Sequence, residues 1–554
     1  MATSAQTSVQ LLLLLMLSSR FLSLETVILV SCASSHNASC LETERKALLN
    51  FKQGLLDPSH RLSSWVGRDC CNWAGVTCNN KTGHVVMLDL RNDSNQLRGG
   101  VPGEFADLHL IQHIDLSENS FINGKLPRNL GKLCHLRVLD LSFNKISASL
   151  GQLSSLVVLD IKYNQWEGVI TEAHFSNLTS LKELSIVQSY SNITLVFNVS
   201  SEWIPTFKLE YLNLKSCLVG PKFPMWLSNQ NELNYVAIWH ANISDTIPDW
   251  FWKLDLFLDV LDFSYNQLNG TIPNTIKFGP NAIVFLNYNR FTGPLPVFSS
   301  NVTSFHLDNN FFSGPIPEDF GERMPMLSDV DISFNSLAGS IPLSIGNLSN
   351  LLTLVLANNQ LTGKIPDFWS SLTEVYVINV ANNNLTGEIP NSLGNLGSVS
   401  PIFLTLSNNQ LSGEIPSALK NCTEITTLDL GDNKLSGSIP AWIGERFPSL
   451  LILRLRSNLF HGSIPSQLCN LSSLHILDLA HNNLSGSIPP CLGNLSGISF
   501  DAENRHEGCT LESGGRLREG LEREMEGCAL LAAGDERTGT TEGEEARRHM
   551  FCVE

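Results

Sequence analysis

The residues best equipped for chemistry in this 554-residue chain are its thiols. Cys40 is followed by the run Cys70-Cys71-Asn72-Trp73-Ala74-Gly75-Val76-Thr77-Cys78, and Cys469 and Cys491 stand far downstream. Grouped cysteines either ligate zinc or pair as disulfides. A zinc site calls for C-x-x-C spacing and a second cluster, and the chain has neither, so these thiols read as disulfides of an exported protein. The fourteen histidines are scattered without metal spacing, so no metal and no cofactor is assigned. Asp319-Phe320-Gly321 matches the kinase D-F-G triplet. It lacks the Gly-rich loop, the H-R-D and the V-A-I-K strand that a kinase needs around it. The many Asp residues inside L-D-L phrases are expected to be solvated strand positions, and no nucleophile has a base beside it. The chain reads as a binder and not as an enzyme.

Residues 1–33 resemble an export signal: Leu11–Leu17 is apolar, Val27–Val30 adds a second run, and Ser31-Cys32-Ala33 offers small residues for cleavage. The run is too short to span a bilayer. Fifteen N-x-S/T sequons support export, among them Asn80, Asn177, Asn192, Asn242, Asn301, Asn347, Asn421 and Asn470, all read as glycosylation sites. A net charge of −17 disfavours nucleic acid as a partner, because phosphate binding wants a basic face.

From residue 84 to about 498 one phrase returns, clearest in LVLANNQLTGKIP (354–366), LDLGDNKLSGSIP (428–440) and LDLAHNNLSGSIP (477–489). Its Asn recurs at 95, 119, 144, 164, 266, 289, 310, 335, 359, 383, 409, 433, 458 and 482, mostly 23 to 26 residues apart. Three more turns put Ser189, Cys217 and Ala241 in its place, giving seventeen repeats. A period of this length with L-x-L-x-x-N is the leucine-rich-repeat signature. In Leu428-Asp429-Leu430 the leucines point inward, while Asp429 and Gly431 are expected to face out of a short strand. Asn433 turns into the coil and, stacked on its copies, satisfies backbone groups that no strand reaches. The expected fold is an α/β-type repeat solenoid. It is a right-handed, curved leucine-rich-repeat superhelix with a parallel concave β-sheet and an N-terminal disulfide cap.

A solenoid exposes core at its ends and needs caps. Glu42 to Gly54 predicts a short amphipathic helix with Ala47, Leu48 and Phe51 on one side, leading to Trp65 and the cysteine run. Cys469 and Cys491 occupy nearly matching places on consecutive coils, within disulfide reach, and are expected to pair. Ligand-binding candidates are large side chains that the pattern turns outward from the strands: Trp239, His240, Phe285, His306, Asp308, Arg454 and Arg456. Arg454 and Arg456 have the alternative of a solvated pair. Tyr163, Tyr265, Tyr288 and Phe334 sit just before the Asn, where packing against the next coil is the expected role.

The cap C-x29-C-C-x-W-x-G-V-x-C with G-x-I-P repeats resembles plant extracellular leucine-rich-repeat proteins. FNVSSEWIPTFKLEYLNLKSCLVGPKFPMWL (197–227) and ISDTIPDWFW (243–252) narrow the resemblance to receptor-like proteins of the ethylene-inducing-xylanase-receptor and Cf type. It covers residues 40 to about 497. It implies a cell-surface immune receptor that senses a microbial protein or peptide and signals through a partner receptor kinase. It also implies pairing of Cys40 with Cys70 and of Cys71 with Cys78.

The pattern stops after Cys491-Leu492-Gly493-Asn494-Leu495-Ser496, and an acidic stretch with Arg but no Lys follows. The family continues with more repeats, a cysteine cap and a transmembrane helix. The change reads as a break or truncation of the gene, with a disordered acidic tail as the alternative. The expected organisation is a signal peptide at 1–33, a cap at 34–83, a solenoid at 84–498 and a non-repeat tail at 499–554. As written the chain would be released to the apoplast; with the family's anchor it would sit on the outer face of the plasma membrane. Two other functions stay open: a secreted inhibitor of wall-degrading enzymes resembling the polygalacturonase inhibitors, and a remnant whose last coil leaves Leu479 and Leu484 in water.

Overall fold

The computed structural model describes residues 39–91, 97–101, 103–119, 121–125, 131–147, 154–164, 168–188, 195–396, 401–495 and 551–552. The expected signal peptide, Asn95, Ser189, Asn192 and nearly all of the tail lie outside these residues.

Seventeen strands, one per coil, run parallel from Val85–Asp89 to Ile476–Asp478, in register but for shifts on either side of Lys277–Phe285 and after Ile402. All but Lys277–Phe285 are short because only the L-x-L core alternates. In one coil, strand Ile425–Asp429 is followed by Asn433, then strand Lys434–Ser438, then the helical turn Trp442–Arg446 on the convex side. Leu428, Leu430, Leu435 and Ile439 from these elements all enter one core that runs the length of the solenoid. No coil encloses its own apolar side chains; the stack does.

The asparagines close the turn. Asn433 Nδ2 donates to the carbonyls of Leu406, Leu430 and Gly431 at 3.0 to 3.2 Å, and its Oδ1 accepts the Leu411 N–H at 3.0 Å. Asn409 repeats the arrangement one coil earlier. Where Cys217 replaces the Asn, its buried thiol points at the carbonyls of Ile186 and Lys215. The residue just before the Asn is left-handed in coil after coil, with φ near +50° at Phe143, Tyr163, His240, Tyr265, Tyr288, Phe334, Asp432 and others. That backbone region normally belongs to Gly and Asn.

A second sheet, absent from the expectations, lines one flank. Ten short parallel strands from Asn269–Gly270 to Asn483–Leu484 are built from the residues after each Asn. Its glycines, such as Gly437 at φ +87°, turn the chain toward the Ile-Pro that follows.

The N-terminal cap is an α-helix, Glu42–Gln53, that buries Ala47, Leu48 and Phe51 with Glu44 beside them. Buried Glu44 bonds His84 Nδ1 at 2.9 Å and the Val85 N–H at 2.8 Å, tying the helix to the first coil. Trp65 and Trp73 stack at 5.4 Å. Disulfides join Cys40 to Cys70, Cys71 to Cys78 and Cys469 to Cys491, with Cα separations of 5.3, 5.4 and 5.7 Å. At the far end Leu479 is buried and Leu484 half-buried. The expectation of both leucines in water is therefore corrected: Leu492 and Leu495 from the turn after Pro489 join Leu479 in the core. Phe551–Cys552 lies parallel to Ile476–Asp478.

Asp319-Phe320-Gly321 forms part of a convex turn. Phe320 is core, and a Cβ on Gly321 would lie 1.9 Å from the Ser344 carbonyl of the next coil.

Candidate ligand-recognition face

Register turns single residues into columns on the concave face. Tyr211 lies opposite Tyr235, Asn213 opposite Ala237 and Lys215 opposite Trp239. The seven residues expected there fall into three places.

The first is aromatic and cationic. Lys215 Nζ sits 3.7 Å from the centroid of the Trp239 ring. Burial pushes the Lys215 ammonium down to about 8, with the Asp262 carboxylate opposing. Trp239 is 6.0 Å from Tyr265, which stacks on Tyr288 at 4.4 Å. His240 is half-buried, with Nδ1 3.1 Å from Ser216 Oγ, and burial together with Lys215 lowers its pKa. Tyr163 likewise stacks on a neighbouring coil, on Phe143 at 4.2 Å, while Phe334 stays exposed at its coil's rim.

The second place follows two coils on. Phe285 meets the His306 ring edge-on at 4.9 Å. His306 Nε2 lies 2.7 Å from Asp329 Oδ2. Burial alone would lower the His306 pKa, but Asp329, then Asp331 and Asp308, raise it to about 9. Asp308 was expected to be exposed and is not: it is 1% exposed, and its Oδ2 accepts from Asn309 Nδ2 at 2.9 Å.

The third holds Arg454 and Arg456, six and more strands away, roughly 29 Å along the sheet at ~4.8 Å per strand. They are half-buried and held by carboxylates on the coils either side: Arg454 on Asp429 and Arg456 on Asp478, each at 3.3 Å. Neither is the solvated pair of the alternative reading.

The L-D-L aspartates also need correction. Asp115, Asp160, Asp331, Asp429 and Asp478 are buried, not solvated. Each leans back over the end of its strand and accepts the N–H two residues on, as Asp115 does from Ser117 and Asp429 from Gly431. Gly431, expected to face out, is buried as well. Burial and like-charged neighbours raise the pKa of Asp115 and Asp140. An Asx turn of this kind needs only the Asp and a backbone N–H two residues on, supplied here by Ser117, Lys162, Ser333, Gly431 and Ala480, so no residue type marks it in the sequence.

Among the sequons, Asn80, Asn177, Asn242, Asn347, Asn421 and Asn470 are exposed. Asn301 is half-buried and donates its Nδ2 to the Phe278 carbonyl at 3.0 Å, which a glycan would displace. No helix among the described residues is long and apolar enough to cross a membrane.

Comparison with known proteins agrees with the coil geometry. Residues 41–79 match the leucine rich repeat N-terminal domain, and seven segments from 257–278 to 473–495 match the Leucine Rich Repeat model. Receptor-like protein EIX2 of Solanum lycopersicum is 38% identical over 189 residues, 34% of this chain and 18% of that protein. Receptor-like protein EIX1 of the same plant is 41% identical over 138 residues, 24% and 13% of the two chains. This chain thus aligns with less than a fifth of either relative's length. Among solved structures, the Arabidopsis receptor kinase HAESA, in complex with the peptide hormone IDA and the co-receptor SERK1, is 25% identical. The match has a TM-score of 0.57 and covers 83% of this chain and 89% of that one. This capped stack of coils is a leucine-rich-repeat solenoid, similar over part of its length to plant receptor-like proteins and in shape to the receptor kinase HAESA.

Proposed function

We propose that this chain is the extracellular recognition module of a plant immune receptor-like protein. It binds a microbial protein or peptide on its concave face, without catalysis, and a partner receptor kinase carries the signal. The observation that bears most weight is the row Lys215, Trp239, Tyr265 and Tyr288, continued by Phe285 and His306: large side chains at half-exposed concave positions where L-x-L needs no side chain. Aromatic and cationic groups of this kind dominate interface energetics. The names of EIX2 and EIX1, and the peptide hormone and co-receptor bound to HAESA, support the same reading. In this reading residues 34–83 cap a solenoid of residues 84–498.

Surface plasmon resonance of the purified chain against secreted fungal proteins, a xylanase first, tests it. Saturable binding that Trp239→Ala, Phe285→Ala and Arg454→Ala weaken is the expected result. Unchanged affinity in all three would remove the assignment of this face. Inhibition of a fungal polygalacturonase would move the reading to a secreted inhibitor.

A further inference from the structure

One cluster on the concave sheet has a geometry that peptide recognition does not require. His306 and Asp308 lie two apart on strand Val302–His306 and the turn that follows, so both project to the same side. Asp331 stands on the next strand, directly opposite His306. A ring nitrogen of His306 and one carboxylate oxygen from each of Asp308 and Asp331 lie within 4.8 Å of one another. We propose that His306, Asp308 and Asp331 form a binding site for one divalent first-row transition cation of the Zn2+ or Mn2+ type.

Three features favour a site over a chance meeting of polar groups. The set mixes one imidazole with two carboxylates, which suits Zn2+ or Mn2+ better than the all-oxygen shells of Ca2+ and Mg2+. His306 already gives Nε2 to Asp329 at 2.7 Å. A carboxylate on one ring nitrogen orients a histidine for a cation on the other, so in this proposal Nδ1 would be the ligand atom. Finally, His306 and Asp331 stand on hydrogen-bonded neighbouring strands, and Asp331 is fixed further by the Ser333 N–H at 3.0 Å. The groups are therefore positioned before any cation arrives.

The site escapes a search for metal spacing along the chain, since Asp308 and Asp331 are brought together only by the turn of one coil. Three protein ligands leave at least one coordination position for a further donor such as water. The proposal does not rest on the ligand assignment above, because the cation alone is the probe.

The test is isothermal titration of the full purified chain, made without a polyhistidine tag and with exposed Cys134 alkylated, against Zn2+. Mn2+ binding is followed in parallel by electron paramagnetic resonance, with Mg2+ and Ca2+ as controls. The expected result is one saturable Zn2+ site that is lost or weakened at least about tenfold in His306→Ala and Asp331→Asn. Asp329→Asn, which removes only the orienting charge, weakens it by about 10- to 100-fold. Circular dichroism melts establish that the variants fold, and Asp308→Asn serves if His306→Ala does not. No saturable Zn2+ binding by the unaltered chain, or wild-type affinity retained in folded His306→Ala or Asp308→Asn, overturns the proposal.

Discussion

Lys215 and Trp239 face each other across neighbouring strands, in register, with the ammonium 3.7 Å from the ring centroid. The cation–π contact keeps a half-buried lysine charged against the cost of burial. That cost still shows, since the Lys215 pKa falls to about 8. At pH 8 about half of these amines are neutral and nucleophilic, whereas an ordinary lysine titrating near 10.4 is almost wholly charged. Acetylation with limiting reagent at pH 8, read by peptide mass spectrometry, is expected to favour Lys215 over exposed Lys222 and Lys253. Equal labelling would show that Lys215 is not perturbed.

The same shift sets the sign of a stability effect. The folded pKa lies below the unfolded one, so between about pH 8 and 10 the unfolded chain binds more protons, and stability from this group rises with pH. Below pH 8 it is flat. Denaturant midpoints of wild type minus Lys215→Met are expected to rise across that window and to stay level from pH 6 to 7.5.

Arg454→Ala is expected to do more than remove a possible ligand contact. It leaves buried Asp429, whose pKa burial already raises, without the guanidinium that opposes the rise. Because Arg454 keeps some contact with solvent, a loss of about 1–2 kcal/mol is expected, below the 3–5 of a fully buried pair. Asp429→Asn in the same chain should recover part of it. Chemical denaturation of both variants and the double variant checks this, and equal losses in Arg454→Ala and the double variant would count against it.

The D-F-G triplet gives a contrast within three residues. Phe320→Ala is expected to cost about 3–5 kcal/mol as a core truncation. Gly321→Ala brings a methyl against the Ser344 carbonyl and should also lower the melting temperature, whereas exposed Asp319→Ala should change stability by less than about 0.5 kcal/mol. A kinase-like site would make Asp319 the sensitive position.

Asn433→Ala strands the Leu411 N–H, while the Leu406, Leu430 and Gly431 carbonyls keep Asn409 Nδ2, Asn458 Nδ2 and the Asn408 N–H, so the expected loss is about 1–3 kcal/mol. Hydrogen exchange should quicken at the Leu411 amide, the donor to Asn433 Oδ1. Protection unchanged there would mean that water replaces the side chain at no cost.

Much of this molecule was legible in its letters because a solenoid repeats its physics. L-x-L fixed the strands, the Asn fixed the turn and the Ile-Pro fixed the exit to the convex side, each many times over. The same logic misplaced Asp308 and Asp429. Alternation sends their side chains away from the core, but the Asp429 carboxylate, on the last residue of its strand, takes the Gly431 N–H, and that of Asp308 takes the Asn309 side-chain amide, before either finds water. The flank sheet escaped notice because its strands are polar and contain Gly, with no alternation to read. His306, Asp308 and Asp331 were each visible, yet nothing along the chain announces that one turn of the coil brings them together.

The left-handed residue before each Asn has a consequence for how such a surface can change. Among the described residues the position holds Glu118, Phe143, Tyr163, Ser216, His240, Asn309, Asp432, Ser457 and others, and no β-branched residue. Val, Ile and Thr crowd the backbone in that conformation and are screened out before any partner is met. The rim of the groove is therefore written in a restricted alphabet, rich in aromatic and short polar letters. A substitution drawn from it changes what the surface offers while the coil beneath keeps its shape, so new specificities can be sampled without endangering the fold.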